Sequence, residues 1–396
     1  MISLDDALQF IRSETRPLSV ERVATMESVG RIVAKPVAAA RTQPPFAASA
    51  MDGYAVRAQD LDGDGSELLV RGESAAGHAS ERLLQAGECQ RISTGAPLPD
   101  GSDQIVIQEN AKRQGDRLTT TDTPHPGRHI RRAGIDFTAG DTLLSPGNRI
   151  TPRSLSLIVS AGVDTVDVYR RPQTGLLSTG DELVEPGAST RPDQIVNSLG
   201  PGLGALIRHW GGEPDYLGIA RDDPGQVRSR LAAASGLDLL VTIGGASVGD
   251  HDHLRRVFAD MGGELVFEKI AIKPGKPTWF GRLGGTHVLG LPGNPVSAMV
   301  MARLCLKPLM DGLLGQSADL PFLTARLSAD LPANGPRENM IRAGLEARTG
   351  EIQPVSNQDS SALSALVVAN ALIRRPANAP AASAGDAVEY LPLDDM

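Results

Sequence analysis

A chain of 396 residues, 41% hydrophobic and 22% charged, has the composition of a folded soluble protein and is long enough for about two to four units of ~150 residues each. A formal net charge of −8 excludes the basic footprint of a non-specific nucleic-acid binder, although a local lysine pair can still hold a small anion. Only two cysteines occur, Cys89 and Cys305, far apart in sequence, which excludes a thiolate zinc site and gives no sign of a disulfide framework.

The chain begins Met1-Ile2-Ser3-Leu4-Asp5-Asp6, acidic and amphipathic, so no secretory signal is expected. Ser3 can cap a first helix, with Asp6 three residues on acting as the carboxylate of a capping box. Residues 1–40 read as that helix followed by a strand–helix pair. Gln43-Pro44-Pro45 breaks the pattern and opens a β-rich module that runs to about Asp136, its short apolar runs punctuated by Gly, Pro and Asp. Thr151-Pro152 places a cap residue before a first-turn proline and predicts a second helix, ended by Gly162. A strand at 165–169 then leads to a boundary at Arg171-Pro172.

From 173 to 315 short apolar strands alternate with helical patterns: 175–177 then 200–209, 216–219 then 226–234, 237–243 then 254–261. A β-hairpin insertion is predicted at 265–281, followed by a strand at 287–291 and a helix from Pro295. Such alternation predicts a mainly parallel α/β sheet. The apolar stretch 298–306 is interrupted by Arg303 and too short to span a bilayer. Beyond about 320, hairpin-like text at 341–347, 352–355 and 387–391 predicts a small β-barrel-like domain. The expected fold class is multidomain α/β plus β. It comprises a helical/β linker region (1–42 plus 137–172), a β-rich arm (43–136), a three-layer α/β domain (173–318) and a C-terminal β domain (319–396).

Four polar segments each follow a predicted strand of the α/β domain: 178–182, 221–224, 244–250 and 292–295. In an open parallel sheet such loops share the carboxyl edge, where ligands bind. The 244–249 loop, containing Gly244, Gly245 and Gly249, frees backbone N–H groups for a phosphate, or is simply a tight glycine turn. Its spacing fits neither a P-loop nor Gly-x-Gly-x-x-Gly. Asn294-Pro295 suits a helix N-cap and first position, with or without an anion. Lys273-Pro274-Gly275-Lys276-Pro277 holds two ammonium groups on a rigid turn that suits a compact dianion, or forms a solvated hairpin tip. Asp181, Glu182, Asp222, Asp223, Asp250 and Asp252 offer hard oxygen ligands for Mg²⁺ beside a phosphate, with capping the alternative for Asp250 or Asp252. His251 and His253 fit no standard zinc spacing and read as solvated side chains. In the arm, 49–55, 91–97 and 129–136 carry polar groups beside glycines.

In chain order, SAMDGYAV at 49–56, RISTGAPLP at 91–99, RRAGID at 131–136, STGDEL at 178–183, RDDP at 221–224, GGASVGD at 244–250, IKPGKP at 272–277 and LPGNPVS at 291–297 together resemble the molybdopterin molybdenumtransferase family, the bacterial MoeA proteins and the E domain of gephyrin. The acidic N-terminus and the short apolar run place the chain, as an expectation, in the cytosol. The resemblance implies a homodimer, with the α/β domain binding molybdopterin and the linker region serving the dimer. It places each site between the α/β domain of one subunit and the arm of the other. The implied reaction takes molybdate and adenylylated molybdopterin, with Mg²⁺, to AMP and molybdenum cofactor. Catalytic positions carried over are Asp52, Glu182, Asp222, Asp252, Lys273 and Lys276, with the two lysines on molybdate and Glu182, Asp222 and Asp252 as metal ligands. Thr94, Thr179, Gly180, Gly244, Gly245, Ser247, Gly249, Pro292, Asn294 and Pro295 are the implied contacts to the pterin nucleotide. Implied partners are the molybdopterin adenylyltransferase and recipient molybdoenzymes, with no nucleic acid or membrane. The nearest alternatives are the preceding adenylylation step and a scaffold or carrier. The chain departs from the family pattern at Ala47, Ile135, Asn197 and Leu199.

Overall fold

The computed structural model describes residues 1–245, 253–394 and 396. Its first helix, Leu4–Glu14, is capped as the sequence predicts: Ser3 Oγ accepts the Asp6 N–H at 3.0 Å and the Ser3 N–H donates to Asp6 Oδ2 at 3.1 Å. Leu4, Ala7, Leu8 and Ile11 fall on one face and are buried with Leu309, Met310 and Leu313 of the α/β region. The strand Val20–Ala24 pairs antiparallel with Thr165–Tyr169. Where a helix was predicted after that first strand there is only a 3₁₀ turn, Thr25–Glu27. Gly30, at φ +82°, turns the chain before a second helical turn can form. The predicted helix at Thr151-Pro152 is present as Pro152–Ser160 and buries Ile158 against Val33, Val166 and Val168.

Between these elements lies the β-rich module. Its six strands run in the order Gln104–Ile107, Gly53–Val56, Glu88–Ile92, Ser66–Ser74, Arg117–Thr120, Ala111–Gln114. Leu68, Val70, Cys89, Val106 and Leu118 form its core. A side chain at Gly53 would run into the Val106 carbonyl, so the backbone of the 49–56 motif passes closer to its neighbour than any other residue allows.

The α/β region has a six-stranded sheet in the order Glu213–Ala220, Gln173–Thr179, Leu239–Ile243, Thr286–Leu291, Trp279–Leu283, Glu264–Phe267. The first four are parallel. Successive residues face opposite ways: Leu176, Val241 and Leu289 enter one apolar cluster, Leu177, Leu240 and Val288 the other. Helix Leu199–His209 and the run from Pro295–Met301 through a π-helical turn at Ala302–Leu306 to Lys307–Leu313 cover the first face. Helices Pro224–Ala233 and His253–Asp260 cover the second. This is the expected three-layer arrangement, with both faces buried.

The insertion at 265–281 is not the simple hairpin predicted. Trp279–Leu283 pairs on both sides within the main sheet, whereas Ile272–Lys273 leaves it and pairs in parallel with Glu338–Leu345. Pro274 and Pro277 supply no N–H and cannot extend a ladder, which frees this turn to bridge two sheets. The C-terminal strands Leu323–Leu327, Glu351–Pro354, Glu338–Leu345, Ala371–Arg375 and Ala387–Pro392 pair in a ring, a closed five-stranded barrel. Leu327, Ala343, Ile352, Ala371 and Ile373 fill it.

Gly290 lies in the sheet opposite Thr242 and Trp279, and a methyl group there would overlap the Trp279 indole. Gly290→Ala is therefore expected to destabilise the α/β region by ~1–3 kcal/mol or more, as overpacking does. Differential scanning calorimetry would read this as a lowered midpoint, and an unchanged midpoint would contradict the packing described.

Candidate functional site

Because four strands run parallel, the segments after them emerge on one edge. There they line a cleft of about 920 Å³ with Thr179, Gly180, Glu182, Asp222, Gly244, Gly245, Pro292, Asn294 and Pro295. Lys276 comes from the inserted turn. Lys269 and, from the C-terminal region, Ser361 complete this side. A smaller cavity of about 510 Å³ shares no residue with the cleft, and the Lys307 and Asp311 side chains on its wall pair with each other at 2.5 and 2.6 Å.

The acidic part of the cleft is built by two interlocking turns. Gly180 has φ +146°, and its N–H donates to the Ala220 carbonyl at 3.2 Å. The Glu182 carboxylate folds back over this glycine, where any side chain would displace it. On the neighbouring turn Asp223 is a helix cap, accepting the Gln226 N–H at 2.8 Å, so its carboxylate is engaged. Asp222 stays exposed at the cleft. Among the described residues no three His, Cys, Asp or Glu side chains gather as a metal-binding group, although Glu182 and Asp222 line the same cleft.

Asn197 sets the floor. It is buried, with Nδ2 donating to Ser178 Oγ at 3.0 Å and to the Tyr216 hydroxyl at 2.8 Å, while Oδ1 accepts the Gly200 N–H at 3.2 Å. Tyr216 in turn donates to Glu185 at 3.0 Å. Burial, reinforced by Glu185, pushes the Tyr216 pKa up to about 12, so this hydroxyl keeps its proton. The departure from the family pattern at 197 is thus part of a satisfied polar network. Leu199 opens the helix Leu199–His209 and is buried. The Ala47 carbonyl accepts the Leu98 N–H, and Ile135 stands exposed.

Asn294 stands at the N-cap position with Pro295 first in the helix, as expected, and its carbonyl accepts the Ala298 N–H at 2.9 Å. Its side chain makes no cap bond to the helix Pro295–Met301 but donates to Ser360 Oγ at 3.1 Å, while the Val296 N–H donates to the Ser360 carbonyl at 3.0 Å. The segment after the barrel strand Glu351–Pro354 therefore closes one side of the cleft. Arg342, on the barrel strand Glu338–Leu345, fixes that segment, donating to the Asn357 and Asp359 carbonyls at 3.0 and 3.1 Å.

Not every expected residue lies in this cleft. Lys273 is exposed on Ile272–Lys273 and is not part of the lining. Asp52 and Thr94 sit together on the β-rich module, where Asp52 Oδ1 accepts the Thr94 N–H at 2.7 Å and its hydroxyl at 3.1 Å. Ser247, Gly249 and Asp252, with Asp250 and His251, lie outside the described residues. Sequence reasoning missed Lys269 and Ser361. The first stands in the same insertion as the lysine turn, a signal that was available, whereas the second reaches the cleft only through barrel packing.

Three family models match the chain in order: the MoeA N-terminal region (domains I and II) over residues 2–162, the probable molybdopterin binding domain over 175–312, and the MoeA C-terminal region (domain IV) over 324–393. The chain is 35% identical over 404 aligned positions to a Haemophilus influenzae protein named molybdopterin molybdenumtransferase, covering 100% of each. It is 34% identical to molybdopterin molybdenumtransferase 2 of Mycobacterium tuberculosis, covering 96% of this chain and 95% of that protein. Two structures of the molybdopterin biosynthesis MoeA protein from Pyrococcus horikoshii superpose with TM-scores of 0.82 and 0.85, at 30% and 26% identity. The first covers 99% of both chains, the second 99% of this chain and 100% of the other.

The Thr94 N–H, and next its hydroxyl, hold the exposed Asp52 carboxyl below its ordinary value. A depressed folded-state pKa means that these bonds stabilise the fold above the unfolded value near 3.8 and are lost as pH falls through the folded value. Thr94→Val removes only the hydroxyl and should raise the Asp52 pKa part of the way back. Carboxyl ¹³C titration would show this, and an unmoved titration would contradict the pairing.

Proposed function

The chain belongs to the molybdopterin molybdenumtransferase family, and from that premise we propose how its cleft joins molybdate to adenylylated molybdopterin with release of AMP. The observation that carries this reading is the meeting, on one sheet edge, of amines from Lys276 and Lys269 with carboxylates from Glu182 and Asp222. Such a site can take a small tetrahedral dianion and a phosphoanhydride side by side. Lys276, held between Gly275 and Pro277, is the principal molybdate ligand, and Lys273, on the same turn but outside the lining, adds positive charge at longer range. Glycine backbones at 180, 244 and 245, with Thr179, approach the nucleotide phosphates closely, and the Pro292–Pro295 turn borders the pterin.

The donor set suits Mg²⁺, which binds through one or two carboxylates and substrate phosphate rather than in a full protein cage. Glu182 and Asp222 would hold it with Asp252, and it would offset charge on the phosphoanhydride as AMP leaves. The chain's own residues do the rest. The ammonium groups bind molybdate and orient one of its oxygens, the glycine turns admit the phosphates, and the Asn197 network keeps the floor rigid.

Asp52 and Thr94 are absent from the cleft lining of their own chain, are exposed, and keep a ready carboxylate. These three facts support a homodimer in which the arm of one subunit, 43–136, completes the cleft of the other. The remaining units are then 1–42 with 137–172 as the dimer-forming linker, 173–318 as the molybdopterin-binding domain and 319–396 as the barrel. Among the described residues no helix is long and apolar enough to cross a membrane. We place the reaction in the cytoplasm, between the adenylyltransferase that makes the nucleotide and the enzymes that receive the cofactor.

The test is AMP release from adenylylated molybdopterin with Mg²⁺, with and without molybdate. Molybdate-dependent release that activates a cofactor-free molybdoenzyme is expected; nucleotide binding without release would overturn the assignment. In the same assay Lys276→Ala should lower molybdate-dependent turnover by at least ~100-fold, on the scale of losing a charge that stabilises a transition state, while pterin binding survives. Wild-type turnover in that variant would remove Lys276 from the molybdate site.

A further inference from the structure

We propose that Arg221 is the positioning residue for the acidic pair of the cleft, acting through Glu182 and Asp222 without touching substrate. The inference rests on the cation role given to those two carboxylates. A single nitrogen of its guanidinium, Nη1, donates to the Asp181 carbonyl at 2.6 Å and to the Leu183 carbonyl at 3.2 Å. These are the carbonyls on either side of Glu182. The carbonyl of Glu182 itself accepts the Ile195 N–H at 2.8 Å. Three successive carbonyls are thus held from outside, and the backbone of Glu182 has little freedom left.

The tie runs in both directions. Asp181 Oδ1 accepts the Asp222 N–H at 3.2 Å, so the turn bearing Glu182 fixes the backbone of Asp222 while Arg221 fixes the backbone around Glu182. Arg221 is anchored at its own end, where its N–H donates to Gln226 Oε1 at 3.3 Å and its carbonyl accepts the Asp223 N–H at 2.7 Å. Together with the Gly180–Ala220 bond, this cross-tie sets the spacing between the two turns. The spacing matters because two carboxylates from different loops share one small hard cation only if both backbones are fixed. The guanidinium also does what its charge alone would not explain. It sits beside Glu182 yet spends its hydrogen bonds on main-chain carbonyls, so that among the described residues the Glu182 carboxylate has no side-chain hydrogen-bond partner.

The test uses Mn²⁺ as a paramagnetic substitute for Mg²⁺, with electron paramagnetic resonance on the intact protein. Arg221→Ala should weaken Mn²⁺ binding about tenfold or more and raise the Mg²⁺ needed for half-maximal AMP release to match. The KM for molybdate and the thermal midpoint should stay close to wild type. Arg221→Lys, which retains a donor able to reach the carbonyls, should recover part of the Mn²⁺ affinity. In a Glu182→Gln background, adding Arg221→Ala should weaken Mn²⁺ binding less than it does in the wild-type background, because part of its action runs through Glu182. Unchanged Mn²⁺ affinity in Arg221→Ala overturns the proposal. So does a uniform loss across Mn²⁺, molybdate and thermal stability, which would mark Arg221 as a fold residue only. Wild-type protein that binds no Mn²⁺ would overturn the cation reading first and the proposal with it, an outcome distinguishable from failure in the variant alone.

Discussion

The cleft depends on the parallel register of Glu213–Ala220, Gln173–Thr179, Leu239–Ile243 and Thr286–Leu291. Parallel strands end on the same edge, so segments more than a hundred residues apart in sequence are delivered to one cleft. The register also fixes which side chains are spent on packing. Leu176 and Leu177, or Leu240 and Val241, go to opposite apolar clusters, and only the residues past the strand ends remain for chemistry. Glycines then let those ends approach one another: Gly180 makes room for the Glu182 carboxylate, and Gly244 passes against the Thr179 carbonyl.

The second dependence is on the barrel. Ile272–Lys273 belongs to the chain segment of the α/β sheet but pairs with Glu338–Leu345, so the lysine turn is held by both bodies. From the barrel side, Arg342 and Gln358 fix the segment that carries Ser360 to Asn294. Further out, Arg374 pairs with Glu338 at 2.5 Å and with Asp5 of the first helix at 3.0 Å, and Arg12 pairs with Asp319 at 2.9 Å. The exposed pairs among these contribute little individually. Their value is directional, since they orient the barrel against the sheet whose edge it helps to close. Burial pushes the Glu338 pKa upward while Arg374 pulls it back, so the pair holds together only where both charges are kept.

Much of this was legible in the sequence because it rests on local chemistry. Ser3 with Asp6 and Thr151 with Pro152 announce their helices, and alternation of apolar strands with helical patterns announces a sheet buried on both faces. The loops at 178–182, 221–224 and 292–295 could be placed on one edge without knowing any partner contact. What could not be read was long-range. No local signal says that the 265–281 insertion divides between two sheets, that the Asn294 side chain goes to Ser360 while only its backbone caps the helix, or that Ser361 borders the cleft. The predicted helix after Val20–Ala24 failed for the opposite reason: its pattern was helical, but Gly30 leaves it too short to propagate. Arg221 belongs with the long-range group, because its two carbonyl partners lie about forty residues earlier in the chain.

The most direct measurement of the central claim, that the oxyanion binds at this sheet edge beside Lys276, is anomalous diffraction at a tungsten absorption edge from crystals soaked with tungstate and AMP. A tungsten peak in the cleft within hydrogen-bonding reach of the Lys276 amine is the predicted result. A cleft without tungsten, with the ion ordered on another surface of the molecule, would contradict it.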